Sequence, residues 1–190
     1  AAATSDAVLL KRTVDAAVNY EMGLKKVGAA WKLYGRFVAN DPTDFTAECE
    51  ADFATINADV WTHVGVSYNA NNRTMRLFVN NSLVKGAAFT GLNSAISQIG
   101  VSTVAAAGNF VGQMDALRVW NVARANFNDY MTQITTVPVT APGLVAYYGF
   151  DDGGKTAGDL TQSADWQSGW ANAATLTGVG TTMKEADSPV

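Results

Sequence analysis

The feature that most constrains this chain is a stretch in which apolar and polar residues alternate with a period of two, broken at short intervals by turn formers. In Trp61-Thr62-His63-Val64-Gly65-Val66-Ser67-Tyr68, Val64 and Val66 fall on one side and His63 and Ser67 on the other. That is the pattern of a strand with one dry face and one wet face. Asn69-Ala70-Asn71-Asn72-Arg73 follows, a cluster that tolerates left-handed backbone and so marks a turn. Met75-Arg76-Leu77-Phe78-Val79 then reads as a second strand, Asn80-Asn81 as a two-residue type I′ turn, and Ser82-Leu83-Val84 as the returning strand. A helix would scatter the same apolar residues around its circumference, so this stretch is a β-meander.

The same signal recurs on both sides. Upstream, Val8-Leu9-Leu10-Lys11, Tyr20-Glu21-Met22-Gly23-Leu24 and Trp31-Lys32-Leu33-Tyr34-Gly35-Arg36-Phe37 read as strands. Downstream, Ser97-Gln98-Ile99-Gly100, the run from Met114 to Trp120 and the run from Leu144 to Phe150 continue the series. Repeated short strands with turn signals between them predict an all-β sandwich. Helical spacing occurs once, from Ala125 to Ile134, where Phe127, Met131 and Ile134 fall near one face and Val137-Pro138 closes the segment. The tail from Asp151 to Val190 is rich in Gly, Thr and Asp and reads as irregular chain wrapping the sandwich. No linker composition interrupts the 190 residues, a length that suits one domain spanning 1–190.

Composition removes several classes of function. Charged residues make up 16% of the chain, against roughly 25% in ordinary soluble domains. With abundant Ala, Val, Thr, Asn and Gly, this suits a β-rich protein outside the cell or at its surface. The net charge of −4 and the lack of any Lys/Arg cluster argue against a nucleic-acid partner. No apolar run approaches the ~18 residues that a membrane-spanning helix needs, so membrane insertion is not expected. Ala1 to Asp6 carry neither the basic flank nor the apolar stretch of a signal peptide, so an exported protein would be seen here as a mature or trimmed chain. The single cysteine, Cys49, excludes an intrachain disulfide, and the single histidine, His63, excludes a multi-histidine metal site.

Three motifs carry a family resemblance. The hairpin from Trp61 through Val84 resembles the "W-x-H-V-A-x-x-Y-D … M-R-L-Y-V-N-G-x-L-V" hairpin of laminin-G-like jelly rolls. Phe110 to Arg124 is similar to that family's "F-x-G-x-I-D-E-V-R-I-W-N-x-A-R" strand and turn, and Gly143 to Gly153 to its "G-L-V-G-Y-W-x-F-D-E-G" segment. The resemblance implies a two-sheet antiparallel jelly-roll sandwich of the laminin-G, concanavalin-A-like type, here with one short helix. The family's usual opening motifs, "F-D-G-x-D-D-Y" and "F-T-x-E-x-W-V", are not found, so the chain is expected to start at the strand Val8–Lys11 and to lack the opening strands, either as a fragment of a longer chain, or with another chain supplying them, or with residues near the termini replacing them. An incomplete sandwich leaves an unpaired sheet edge, which invites a strand-donating partner chain or a homo-oligomer.

Each candidate for chemistry has a plainer alternative. Concanavalin-A-like glycosidases place acid and nucleophile on one strand as E-x-D-x-x-E, with retaining carboxyl groups ~5 Å apart. Here Glu48, Glu50 and Asp52 read E-x-E-x-D, and Cys49 between them suits a strand whose core side holds the thiol while the acids face water. His63 lacks a nucleophile-elbow motif anywhere in the chain and stands where the family's hairpin has a histidine, so its expected role is structural. Asp115, Asp151, Asp152 and Asp159 lie near Gly-rich turns, and the resemblance implies that calcium is the cofactor such loops would take. A ligand-binding platform would come from Trp166, Trp170, Tyr20 or Trp31, whereas Trp61 and Trp120 sit on strand motifs and are expected in the core. Asn72-Arg73-Thr74 and Asn80-Asn81-Ser82 are N-glycosylation sequons that matter only in a eukaryotic secretory host. The expected function is an extracellular, non-catalytic binding and adhesion module for a glycan or a cell-surface or matrix protein. The alternatives are a structural subunit of an appendage, sheath or filament joined by strand complementation, and a polysaccharide-degrading enzyme.

Overall fold

A computed structural model describes residues 7–14, 17–38, 46–50, 56–69, 71–88, 112–128, 140–150, 156–161 and 174–175. Eleven strands occur in them: β1 (Ala7–Val14), β2 (Ala17–Val27), β3 (Ala30–Val38), β4 (Thr46–Glu50), β5 (Val64–Asn69), β6 (Thr74–Val79), β7 (Ser82–Ala88), β8 (Leu117–Trp120), β9 (Leu144–Tyr148), β10 (Thr156–Ala157) and β11 (Ala174–Thr175). Every ladder between them is antiparallel. No α-helix is present among the described residues, so none of them forms a helix long and apolar enough to cross a membrane. The chain divides into two compact units, one built from Ala1–Val111 with Ala123–Met131 and the other from Gly112–Val122 with Thr132–Val190.

The first unit is a sandwich. Its four-stranded sheet runs β1-β2-β3-β4 and its three-stranded sheet β5-β6-β7. Gly35 marks where the sheets meet: a Cβ there would lie 2.9 Å from Val66 Cγ1, 3.1 Å from Leu77 Cδ2 and 3.2 Å from Met75 Sδ. The period-two pattern explains the packing. Met22 and Leu24 pair with Gly35 and Leu33 on the inner side of one sheet, while Val64, Val66 and Tyr68 pair with Val79, Leu77 and Met75 on the inner side of the other. Leu33, Met75 and Leu77 are fully buried, with Ala7, Leu24, Val79 and Val84 completing the core. Each of the Leu, Met and Val side chains contributes about 1.5–3 kcal/mol of burial. The turn between β6 and β7 is the expected one, with Asn80 at φ 47° and Asn81 at φ 61°, the two positive values that a type I′ turn requires.

Several expectations need correction. Strand β5 begins at Val64, so Trp61 to His63 stand outside the ladder, and β8 begins at Leu117. Immediately before β8, Ala116 adopts φ 52°, a turn conformation that an extended strand cannot contain. The wet face expected for His63 and Ser67 is in fact covered: Ser67 is buried, and a Cβ at Gly65 would stand 2.7 Å from Phe127 Cε2. The missing side chain of Gly65 leaves a slot that the Phe127 ring fills. The same anchoring removes the start of the expected helix, since Ala125–Asn128 form a bend and a turn. Phe127 N–H donates to Asn81 Oδ1 at 2.6 Å, and Asn128 N–H to Asn126 Oδ1 at 3.4 Å. Side-chain acceptors thus take the donors that a first helical turn would leave open. Residues 129–134 of that helix and the strand Ser97–Gly100 lie outside the described residues.

In the second unit, β8 pairs with β9 through Leu117 with Tyr148, Arg118 with Tyr147 and Val119 with Ala146. Val119, Ala141, Tyr147 and Tyr148 are its buried hydrophobic residues among those described, and the Arg118 guanidinium lies 5.0 Å from the Tyr147 ring centroid. Within the tail that was read as irregular, Thr156 pairs with Thr175 and Ala157 with Ala174.

Candidate functional site

The carboxylates of β4 were the first candidates for catalysis, and register places them. In register, Cys49 stands opposite Gly35, Glu48 opposite Arg36 and Glu50 opposite Tyr34. Following the register across the sheet gives a row Lys11, Glu21, Arg36, Glu48 in which the sign of the charge alternates on four successive strands. The next row holds Gly23, Tyr34 and Glu50. Opposite charges on adjacent strands of one face attract.

Side-chain contacts complete this arrangement. Lys25 Nζ forms an ion pair with Glu50 Oε1, with side chains 31% and 42% exposed. At that exposure the pair contributes about 0–1 kcal/mol. The Tyr34 hydroxyl donates to Glu21 Oε1, and Lys25 Nζ also lies 5.9 Å from the Tyr34 ring centroid. Tyr34 reaches this position because Gly23 has no side chain: a Cβ there would fall 2.6 Å from Tyr34 Cε1. Glu21 and Glu50 each face a partner from this chain. Asp52 lies outside the described residues.

His63 is part of the fold's frame. Its N–H donates to Asn80 Oδ1 at 3.0 Å and its carbonyl accepts from Asn80 N–H at 2.9 Å. The imidazole sits 5.5 Å from the Phe127 ring at 56°. Asn80 and Asn81 thereby act through their side chains as well as through positive φ. Asn80 fixes the entry to β5, and Asn81 holds the Phe127 backbone and donates to Asn128 Oδ1.

Of the four acids expected at a calcium site, Asp151 and Asp152 lie outside the described residues. Asp115 is half-buried just ahead of β8. Asp159 is fully buried. Its Oδ1 accepts from Tyr147 N–H at 3.1 Å, Thr161 N–H at 3.1 Å and Thr161 Oγ1 at 2.7 Å, which ties the 159–161 turn to β9. Asp159 Oδ2 is buried without a hydrogen bond among the described residues. Burial raises the Tyr148 phenol above its ordinary value, and the Asp159 charge raises it further. Calcium takes six to eight oxygen ligands, and no group of three or more acidic, histidine or cysteine side chains is placed to hold a metal among the described residues. The single open oxygen of Asp159 would need its companions from elsewhere in the chain.

The aromatic candidates separate clearly. Trp31 is half-buried against the core of the first unit, with Lys26 Nζ 5.6 Å from its ring centroid. Tyr20 occupies the β2 position between Arg12 and Phe37. Trp166 and Trp170 lie outside the described residues. Trp120 is half-buried in β8, whereas Trp61, expected in the core with it, is 46% exposed. The reason is local: Trp61 precedes the first ladder residue, so strand alternation does not govern it. Residues 57–61 are all exposed, and Asp59 adopts φ 60°. The signal was present in Asn57-Ala58-Asp59, turn-forming residues directly ahead of the ring.

No curated protein and no solved structure matches the chain significantly. A laminin-G profile of the concanavalin A-like lectin/glucanases superfamily matches residues 2–126. That span contains the Trp61–Val84 hairpin and the Phe110–Arg124 motif, and leaves Gly143–Gly153 beyond it. Together with the antiparallel sandwich, this match shows that the chain belongs to the concanavalin A-like lectin/glucanase superfamily, which supports a module of the carbohydrate-binding type.

Proposed function

We propose that this protein is an extracellular, non-catalytic binding and adhesion module that recognises a glycan or a surface protein. The observation carrying this reading is the state of the outer sheet face where glycosidase carboxylates would be sought. Glu50 is paired with Lys25, Glu21 is capped by Tyr34, and Glu48 stands in register with Arg36. A retaining or inverting pair needs one carboxyl free to donate a proton and another free to attack or to activate water. Glu50 and Glu21, each engaged by a side chain of this protein, suit a scaffold better than an acid–base pair.

The covering of the other sheet by Phe127 supports the same reading. Phe127 over Gly65, and Lys25 and Tyr34 on Glu50 and Glu21, engage parts of both sheets with the protein's own side chains, which favours the connecting loops as the ligand contact. The test is an oligosaccharide array together with a reducing-sugar assay on soluble β-glucan. Binding without sugar release, unchanged in Glu48→Gln and Glu50→Gln, is the expected result. Sugar release that disappears in Glu50→Gln would make the protein a glycosidase.

A further inference from the structure

Within the first unit, one segment is exposed along its whole length and held at both ends. It runs from Asn57 to Trp61, between the last contact with one sheet and the first strand of the other. At its start, Ile56 N–H donates to Trp31 O at 3.0 Å. At its end, His63 is bonded in both directions to Asn80. Just past it, Thr62 Oγ1 donates to Val60 O at 3.1 Å, and within it Asp59 takes a left-handed φ of 60°, a turn conformation that Asp adopts more readily than most residues. A loop fixed in this way has little conformational freedom left to lose on binding.

Its composition is as informative as its anchoring. Val60 is 59% exposed and Trp61 46%. The same unit buries Phe78 and Phe127 almost completely, so an uncovered indole here is not a consequence of scarce core volume. A tryptophan can bury 150–250 Å², and leaving much of that in water forgoes about 25 cal/mol per Å². The same short loop carries groups that accept and donate hydrogen bonds, the amide of Asn57 and the carboxylate of Asp59, both exposed. A pyranose offers a face of C–H groups bordered by equatorial hydroxyls. It suits a flat ring beside a carboxylate and an amide.

We propose that the Asn57–Trp61 loop is the sugar-reading surface of this module, with the Trp61 ring stacking on a pyranose and the Asp59 carboxylate accepting its hydroxyl hydrogen bonds. The assignment rests on the glycan reading given above and deepens it. The loop was built for the contact before any ligand arrives.

The experiment uses the full chain on an array of neutral and acidic oligosaccharides, with circular dichroism and thermal melting as folding controls. Trp61→Ala is expected to melt as the wild type does and to weaken binding by roughly tenfold, the scale of a lost stacking contact. Trp61→Phe, which keeps a ring, should retain most of the binding, and Asp59→Ala should weaken it by about fivefold as a charge-assisted hydrogen bond is lost. If the wild type binds and Trp61→Ala binds equally well, the loop is not the reader, although the module still recognises glycans. If the wild type binds no oligosaccharide on the array, the glycan reading fails and this assignment fails with it. Loss of binding in Trp61→Ala together with a lowered melting temperature would be judged on Trp61→Phe. Retained binding there upholds the assignment, and its loss alongside a normal melt overturns it.

Discussion

The two sheets of the first unit solve one problem in opposite ways. Each has an outer face that must be either wetted or covered, and each covers part of it by laying an aromatic ring over a glycine. On the four-stranded sheet the ring is Tyr34, the glycine is Gly23, and the surroundings are charged: Glu21 takes the phenol's hydrogen bond and Lys25 approaches the ring. On the three-stranded sheet the ring is Phe127, the glycine is Gly65, and the surroundings are aromatic. Phe78 meets Phe127 edge-on at 5.2 Å and 81°, and His63 lies beside it. Tyr34 comes from the neighbouring strand, whereas Phe127 comes from a distant segment. The first cover is a local, polar device, and the second is a long-range, apolar one. The comparison shows that a glycine in a strand can specify a fold by what it admits.

The contrast predicts an order of effects. Phe127→Ala should have the largest, about 3–5 kcal/mol in urea-induced unfolding, because it empties the slot at Gly65 and exposes Phe78. A loss under 1 kcal/mol would show that the apolar cover carries little of the stability. Gly23→Ala comes next. Its Cβ would meet Ala7 O at 2.5 Å as well as the Tyr34 ring, and backbone cannot step aside as a side chain can. About 1–3 kcal/mol is expected, read from the same denaturation curve. Tyr34→Phe keeps the ring and removes the hydroxyl's bond to Glu21, so about 0.5–1.5 kcal/mol should be lost.

The smallest effect is expected from Glu50→Gln, which breaks a half-exposed ion pair. About 0–1 kcal/mol, shrinking further in high salt, is expected by thermal melting. A larger value would mean that the charged face is more tightly built than its exposure indicates. Alkaline titration offers a further check on the three-stranded sheet. Burial raises the Tyr68 phenol from its ordinary value of 10.0, an effect that the Arg73 charge partly offsets. A phenol with a raised folded pKa contributes stability below about pH 10, and this is lost as the pH climbs through the folded value. Stability should therefore fall above pH 10, and less steeply in Tyr68→Phe.

Most of the fold was legible because the period-two pattern is a direct record of burial. Met75, Leu77 and Val79 alternate in sequence and line one core face, and Asn80-Asn81 fixed the hairpin register through their tolerance of positive φ. What periodicity cannot report is a partner that arrives from far along the chain. The covering of Ser67 and the loss of helix at Ala125–Asn128 share one cause, the docking of Phe127 beside Asn81, and nothing near Gly65 in the sequence announces it. The candidate site was legible in part. The alternation in β4 showed that Glu48 and Glu50 share a face, but the ion pair of Glu50 with Lys25 depends on register across three strands. Trp61 was misjudged because it was counted as a strand residue when the strand starts three positions later.

The cap over Gly65 also bears on how the protein is made. Phe127 belongs to the first unit, yet the chain on both sides of Ala123–Met131 belongs to the second. On the ribosome, Gly65 and Phe78 emerge well before Phe127 is synthesised, at a pace of roughly 5–20 residues per second. For that interval the nascent three-stranded sheet carries an uncovered aromatic surface, the kind that chaperones bind and that aggregation exploits. A recombinant piece ending at Val111 would keep that vulnerability permanently, so the shortest piece able to close its own sheet extends at least to Asn128.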